Sequence, residues 1–205
     1  MKTINKALPY LAVCFALLLS SFILRPAADG YKVGDKAADF KLKNIDGKMV
    51  SLADNKAAKG YIVVFTCNTC PFAKAYESRI VDLNTKYAPQ GYPVVAINPN
   101  DPIVAPGDSY AAMQTKKYAF PYLLDESQQV AKTYGATRTP HLYVLTRQGN
   151  DFVVSYIGAI DDNSEDPKLV KTKYVENAMT EILAGKPATT NATKAIGCTI
   201  KWKRA

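Results

Sequence analysis

Cys67 and Cys70 have the residue types and the spacing that allow redox chemistry. The segment Thr66-Cys67-Asn68-Thr69-Cys70-Pro71 places two thiols where they can close a small disulfide ring. At the amino end of a helix, unsatisfied backbone N–H groups and aligned peptide dipoles stabilise a thiolate. We therefore expect Cys67 to have a lowered pKa and to act as the attacking thiolate. Cys70, about one turn inside the helix, is expected to be the resolving thiol.

Two other roles remain open for this pair of cysteines. A C-x-x-C segment is half of a zinc site, but the chain has only four cysteines, one histidine and no second C-x-x-C. A structural disulfide would suit an exported protein, although a ring of two intervening residues constrains the unfolded chain very little. The pattern therefore favours a redox-active pair without a metal.

The segments on either side of the cysteines predict a strand and a helix. Residues 61–65 form a continuous β-branched and aromatic run, which is typical of a strand buried on both faces of a sheet. From Pro71 to about Tyr87 the apolar side chains follow helical spacing, and proline is favoured in the first helical turn. The cysteines are thus expected where a central strand passes into a helix.

The remainder of the chain alternates between strand-like and helix-like segments. Such alternation predicts an α/β sheet with crossover helices. The predicted elements are a β-hairpin over 40–52, strands at 92–98, 122–124, 141–145 and 152–157, and helices around 109–118, 127–134 and 167–183.

Three segments together resemble the redoxin, alkyl-hydroperoxide-reductase-like branch of the thioredoxin superfamily. They are the opening Val33-Gly34-Asp35-Lys36-Ala37-Ala38-Asp39-Phe40, the cysteine turn, and Thr139-Pro140 before another apolar strand. The resemblance covers about 31–183. It implies an α/β, thioredoxin-like fold whose central mixed sheet is flanked by helices and carries an N-terminal β-hairpin extension. It also implies exchange with protein thiols or disulfides, or with small thiols, without a bound cofactor.

The resemblance assigns substrate docking to Thr139 and Pro140. In that family the matching proline follows a cis peptide bond and faces the cysteines, and the backbone of the preceding residue pairs with the bound polypeptide. A cis bond is essentially confined to proline. The alternative is a trans proline that opens an edge strand.

Two departures from the family pattern affect the expected chemistry. Tyr61 stands where thioredoxins have a buried acid, so proton transfer for Cys70 needs another group or water. Typical peroxiredoxins have a Thr-x-x-Cys motif, whereas here Thr66 is followed three residues later by Thr69. A thiol-dependent peroxidase is therefore the second choice of function.

His141 and Arg138 flank the docking dipeptide. Because His141 follows Pro140, a copper-delivery module using Cys67, Cys70 and His141 is a further alternative. We favour a structural His141 or one at the rim of the substrate site. Arg138 is expected to be an exposed loop cation near the site.

Cys198 lies beyond the last helix expected for the fold. The alternation Ile196, Cys198, Ile200, Trp202 predicts a tail strand that docks on the domain and buries the thiol. We therefore expect Cys198 to be buried and unpaired. A redox role stays open, in which Cys198 lies near the other two cysteines or cross-links to a second molecule. The chain after residue 28 has three cysteines, and an odd number in an exported protein needs an explanation.

Residues 1–28 have the pattern of an export signal or a membrane anchor. Lys2 and Lys6 precede an apolar run without acidic residues, nearly long enough to span a bilayer. Arg25 and Pro26 weaken the expected cleavage site, so an uncleaved anchor remains open. This segment predicts export to the periplasm or the outer face of a membrane, with possible membrane association through residues 1–28.

The net charge bears on the expected partners, and the sequence divides into three predicted parts. The chain of 205 residues has 26 basic and 18 acidic residues, a formal net charge of +8, and such a modest excess does not indicate a nucleic-acid partner. The predicted parts are the signal or anchor at 1–28, the redoxin domain at 29–185, and a basic C-terminal tail at 186–205. The tail is interpreted as solvated, with an anionic membrane surface as the alternative.

Overall fold

The computed structural model of the chain describes residues 30–204. The predicted export signal or anchor at 1–28 lies outside the described residues. Within 30–204, no helix combines the length and the apolar character that crossing a membrane requires.

Ten strands and four α-helices make up the described part of the chain. The strands are β1 (Lys36–Ala37), β2 (Lys41–Asn44), β3 (Met49–Ser51), β4 (Gly60–Phe65), β5 (Val94–Asn98), β6 (Tyr122–Leu124), β7 (Arg138–Thr139), β8 (His141–Gln148), β9 (Asp151–Gly158) and β10 (Cys198–Thr199). The helices are α1 (Pro71–Tyr87), α2 (Tyr110–Met113), α3 (Gln129–Tyr134) and α4 (Tyr174–Leu183).

Eight of these strands form one mixed sheet in the order β1-β9-β8-β4-β5-β6-β2-β3. Strands β4, β5 and β6 run parallel to one another, whereas β4 pairs antiparallel with β8, and β8 with β9. The β2–β3 hairpin extends the sheet beyond β6. The thioredoxin-like α/β fold and its hairpin extension are confirmed.

Strand β4 lies in the middle of the sheet, and all six of its residues are buried. Ile62 and Val64 contribute to the core formed with α1 and α4, while Val63 and Phe65 face the core formed with α3. A strand covered on both faces needs apolar side chains in every position, as this run has. The cysteine turn is therefore attached to a fully buried strand in the middle of the sheet.

Two helices are shorter than the sequence pattern predicts. The helix expected over 109–118 ends at Met113, and the one expected over 167–183 begins at Tyr174. Ahead of α4, the Asp162 carboxylate accepts the backbone N–H groups of Lys171 and Thr172 at 2.9 and 3.0 Å. Residues Pro167–Leu169 form a short 3-10 helix. The bonds to Asp162 hold Lys171 and Thr172 outside α4, an outcome that the local apolar spacing does not reveal.

The C-terminal segment folds back onto the domain, so the interpretation of a solvated tail is wrong for its residues around Ile200. Strand β10 pairs antiparallel with β7, with Cys198 opposite Thr139 and Thr199 opposite Arg138. Ile200 is 2% exposed and packs in the core on the α3 side of the sheet. The segment around Cys198 is thus a paired strand at the end of the sheet that carries the cysteine turn.

Candidate active site

The cysteine turn joins the end of β4 to the start of α1. Cys67 lies two residues after the strand, and Pro71 is the first helical residue. Cys70 is the residue that caps the helix, so it does not lie one turn inside it. The predicted arrangement, with Cys67 at the head of the helix, is therefore wrong by three residues.

Cys67 is buried, with 6% of its surface exposed. Burial raises the pKa of the Cys67 thiol above its ordinary value, because a thiolate loses its hydration there; the nearby negative charge of Asp108 acts in the same direction. The Thr139 hydroxyl and the N–H groups of Thr69 and Cys70 oppose this rise in pKa but do not outweigh it. The expectation of an accessible thiol with a lowered pKa is wrong for this conformation.

Asp108 holds the turn between the two cysteines. Its carboxylate accepts the backbone N–H groups of Asn68 and Thr69 at 2.7 and 3.0 Å and the Thr69 hydroxyl at 2.7 Å. The amide of Asn100 donates to the same carboxylate at 2.7 Å. Asp108 is 0% exposed, and its four bonds fix the backbone around Cys67 from the buried side of the turn.

Sequence reasoning missed Asp108, because it lies about forty residues from the cysteines in a polar loop. The signal available was the density of polar and glycine residues that follow a buried strand. The loop that contains Asp108 passes close to the cysteine turn, since a Cβ on Gly107 would overlap the Thr69 side chain. The Asn68 amide also donates to the Gly107 carbonyl at 3.1 Å.

Thr139 contacts both sulfur atoms of the turn. Its hydroxyl is hydrogen-bonded to Cys67 Sγ at 3.2 Å, and its carbonyl oxygen lies 3.2 Å from Cys70 Sγ. When Cys70 is a thiol, it can donate a hydrogen bond to that carbonyl. The Thr139–Pro140 peptide bond is cis, as predicted. The structure therefore brings the expected docking residue against the cysteine pair.

Cys198 lies at disulfide-bonding contact with Cys70, and the two Cα atoms are 6.0 Å apart, within the usual range for a disulfide. The prediction that Cys198 is buried and unpaired is wrong on both counts, since its side chain is also half-exposed. Among residues 30–204, Cys67 is the free cysteine. The pairing of β10 with β7 causes the difference, because it carries Cys198 to the cysteine turn.

Arg138 is half-buried in β7 rather than exposed in a loop. Its guanidinium donates to the carbonyl oxygen of Gly197 at 2.9 Å. The expectation of a free loop cation is therefore wrong, and the side chain instead holds the C-terminal segment beside the site.

His141 is buried against Tyr143, with ring centroids 4.9 Å apart. Its Nδ1 atom has no hydrogen-bond partner within the described chain. Burial, together with the positive charge of Arg138, lowers the pKa of His141 to about 4. Over residues 30–204, no group of three or more His, Cys, Asp or Glu side chains is arranged to hold a metal ion.

The buried His141 predicts a loss of stability in mild acid. As pH falls below 6.5 the unfolded chain takes up a proton on His141, whereas the folded chain does not until about pH 4. Stability is therefore lost as pH falls across this window. We expect the free energy of unfolding to decrease by about 3 kcal/mol from this residue, measured by urea unfolding at several pH values.

His141→Leu supplies the comparison, because the chain has one histidine. Carboxylates titrate in both proteins, so the difference between the two pH curves isolates the imidazole. Parallel curves between pH 7 and pH 4 would contradict the lowered pKa.

Tyr61 occupies the position of the buried acid of thioredoxins and serves as a structural residue. Its hydroxyl donates to the carbonyl oxygen of Leu52 at 2.6 Å, and its ring packs edge-on against Phe152 at 5.1 Å. Asp108 is the acidic residue that lies near Cys67 instead.

The chain has recognisable relatives in sequence. The model of a protein family described as AhpC/TSA matches residues 33–160. A thiol-disulfide oxidoreductase ResA of Bacillus cereus is 24% identical over 144 residues, which cover 67% of this chain and 81% of that protein. A putative peroxiredoxin of Mycobacterium tuberculosis is 28% identical over 142 residues, covering 69% and 83%.

A similar structure extends the comparison to most of the chain. An uncharacterized conserved protein from Geobacillus kaustophilus, solved by crystallography, superposes with a TM-score of 0.78 at 36% sequence identity. The match covers 85% of this chain and 94% of that protein. It therefore reaches beyond the 128 residues that the family model matches.

Proposed function

The chain belongs to the AhpC/TSA family, and from that premise we propose that it is an exported thiol–disulfide oxidoreductase acting on protein or small-thiol partners. Cys67 is the attacking thiol, Cys70 the resolving thiol, and Thr139-Pro140 the docking edge. The observation that carries the proposal is that Thr139 contacts both sulfur atoms, so that the residue preceding a cis proline lies against the cysteine turn.

The proposed exchange begins when a partner disulfide reaches Cys67. The Cys67 thiolate attacks one partner sulfur, forms a mixed disulfide and releases the other partner sulfur as a thiolate, which takes up a proton. Cys70 then attacks Cys67 Sγ, and the second partner thiol leaves. Two electrons pass from the two cysteines to the partner, and Cys67–Cys70 becomes a disulfide. Each step runs in reverse with a reduced partner.

Polar groups around Cys67 support these roles. The Thr139 hydroxyl and the N–H groups of Thr69 and Cys70 stabilise a negative charge on Cys67, since each lowers its pKa. The Asp108 carboxylate fixes the same turn by binding two of its N–H groups. The groups that stabilise the Cys67 thiolate are thus already in place, although this thiolate forms at a higher pH than the thiolate of a free cysteine does.

Export is part of the proposal and rests on residues 1–28. The two lysines and the apolar run that follows them, which contains no acidic residue, support secretion or anchoring outside the cytoplasm. Disulfide exchange among cysteines is also favoured in oxidising compartments.

A trapping experiment tests the proposed roles. With Cys70→Ser and Cys198→Ser combined, no described thiol remains to resolve an adduct on Cys67. We expect stoichiometric mixed disulfides with oxidised glutathione, and with insulin as a disulfide-bonded protein probe. Mass spectrometry of the alkylated, unreduced protein measures them.

The matched control adds Cys67→Ser to the same variant and should yield no such adduct. An adduct mapped to another residue, or none in either protein, would refute the assignment of Cys67. The control matters because Cys14 lies outside the described residues and carries a thiol of its own.

A thiol-dependent peroxidase is a second candidate, favoured by the enclosure of Cys67. At 6% exposure a small oxidant reaches this sulfur more readily than a polypeptide does. The thiolate would attack a peroxide oxygen, releasing water or an alcohol and leaving a sulfenic acid, which Cys70 would condense to a disulfide with loss of water. Consumption of hydrogen peroxide by the reduced protein, with dimedone labelling of Cys67, distinguishes this activity.

A further inference from the structure

We infer that Cys198 is a third redox thiol of the proposed reaction, which receives the disulfide from the Cys67–Cys70 pair while its strand occupies the docking edge. The inference rests on the proposed function and adds a residue and a step to it. The tail segment, defined as residues 195–203, is the part of the chain that delivers Cys198.

The tail segment occupies the edge that the proposal assigns to partners. Strand β10 pairs antiparallel with β7, and Cys198 stands opposite Thr139. The Ile200 N–H also donates to the carbonyl oxygen of Thr137 at 3.1 Å. A polypeptide that paired with Thr139 would need the same backbone groups. The tail segment and a partner strand therefore exclude one another at this edge.

Contacts on the C-terminal side of Cys198 anchor the tail segment to the domain. The Lys201 N–H donates to the Asn100 side chain at 2.9 Å, and the Lys201 carbonyl accepts from the Asp101 N–H at 2.8 Å. The Gln128 side chain binds the backbone of both Lys201 and Lys203. Cys198 is thus held in place by a network of bonds that does not depend on a disulfide.

Contacts on the N-terminal side of Cys198 also hold the tail segment against the domain. Arg138 donates to the Gly197 carbonyl, as described above. Gly197 passes so close to β7 that a Cβ there would overlap the Thr139 carbonyl group and approach the Pro140 nitrogen. Only a residue without a side chain fits this path. Cys198 also packs against the cluster formed by Cys67, Cys70 and Ala73.

The step follows from these positions as an internal exchange. In the Cys67–Cys70 disulfide, the Cys198 thiolate attacks Cys70 Sγ, the Cys67–Cys70 bond breaks, and the Cys67 thiolate leaves and takes up a proton. Three sulfur atoms take part, one disulfide is exchanged for another, and no electrons enter or leave. The product has the pairing seen in the structure, with Cys70 joined to Cys198 and Cys67 free.

The internal exchange moves the disulfide to a sulfur atom that a reductant can reach more easily. Cys67 and Cys70 are 6% and 4% exposed, whereas Cys198 is only partly buried. A dithiol reductant can attack Cys198 Sγ, release the Cys70 thiol and leave with its own disulfide. The exchange thus carries the disulfide from a buried pair to a sulfur that a reductant reaches, and the tail segment closes the docking edge until reduction occurs.

The disulfide map of the oxidised protein tests this inference. We oxidise the reduced protein with oxidised glutathione, quench with acid at increasing times and identify the disulfides by mass spectrometry. The Cys67–Cys70 bond should appear first and be replaced by Cys70–Cys198. In Cys67→Ser, Cys70–Cys198 should form at least about tenfold more slowly. Equal rates would mean that this bond forms without Cys67 and would overturn the relay.

Gly197→Ala displaces the tail segment without removing a thiol. We expect the ratio of Cys70–Cys198 to Cys67–Cys70 to fall at least about tenfold in this variant, because a displaced Cys198 no longer meets Cys70. Cys198→Ser should stop at Cys67–Cys70. Lys194→Ala, an exposed change just before the tail segment, should match the parent protein. An unchanged ratio in Gly197→Ala would contradict the role of the strand.

Failure of this inference can be told apart from failure of the proposed function. If exchange with insulin depends on Cys67 but the oxidised protein contains only Cys67–Cys70, then Cys198 has no redox role and the proposed function stands. If exchange survives in Cys67→Ser, the proposed function itself fails.

Discussion

Replacing Cys67 with serine should lower the rate of disulfide exchange by at least roughly 10³-fold. A serine hydroxyl is not ionised at neutral pH and does not attack disulfides, so the first step of the cycle is lost. Serine replaces one small side chain by another in a buried site, and Thr139 can still bind its hydroxyl. The fold should therefore survive. Turnover is measured with insulin as substrate and dithiothreitol as reductant.

Two comparisons make this result specific. Ser78→Ala, on the helix that follows the cysteine turn, controls for a general effect of substitution. The parent rate should also rise roughly tenfold per pH unit between pH 7 and pH 9, because the raised pKa of Cys67 leaves little thiolate at neutral pH. Activity retained in Cys67→Ser, or a rate already level above pH 6, would contradict the role of a buried thiol.

Replacing Asp108 with alanine should cost about 2–4 kcal/mol of stability and slow the exchange as well. The backbone N–H groups of Asn68 and Thr69 lose a buried acceptor, and so does the buried amide of Asn100. The turn that carries Cys67 then loses its fixed backbone. Urea unfolding measures the first effect, and turnover with insulin measures the second.

Asp108→Asn separates the charge of Asp108 from its hydrogen bonds. The amide oxygen still accepts from the turn, but the negative charge near Cys67 disappears, so the pKa of Cys67 should fall. Alkylation of the Cys67 peptide, followed against pH by mass spectrometry, should shift to lower pH. A shift to higher pH would contradict the proposed influence of Asp108.

Asp101→Ala is the matched control for both Asp108 variants. Asp101 is 4% exposed in the same loop, and its carboxylate accepts the Ile103 N–H at 2.7 Å. Its carboxylate makes no described hydrogen bond to the cysteine turn. Its loss should cost stability while leaving the pH dependence of Cys67 alkylation unchanged.

Local sequence patterns were sufficient to predict the elements that carry the cysteines. The apolar run of β4 and the helical spacing after Pro71 are properties of neighbouring residues, and both elements are present. Thr139-Pro140 was identified through the resemblance, and its bond is cis. These features can be predicted from short segments. A strand buried on both faces requires apolar residues throughout, and the first turn of a helix favours proline.

The electrostatic setting of Cys67 could not be predicted in this way. The helix-end rule predicted a lowered pKa, but burial raises it, and burial depends on everything that packs over the turn. Asp108 contributes from 41 positions away along the chain, and the polar, glycine-containing loop around it does not show which part of the protein it contacts. A pKa is decided by the sum of these surroundings rather than by the position of a residue in a motif.

The sequence alone determined that this chain has a C-x-x-C turn on a thioredoxin-like fold and a C-terminal strand containing a third cysteine. The position of that strand, and the cysteine that it contacts, depend on the tertiary structure. Cys70 and Cys198 are 128 residues apart, and their pairing depends on the bonds of the tail segment to Asn100, Gln128 and β7. Period-2 alternation tells which side chains share a face, but not which surface that face will cover, since the covering surface is assembled from distant parts of the chain.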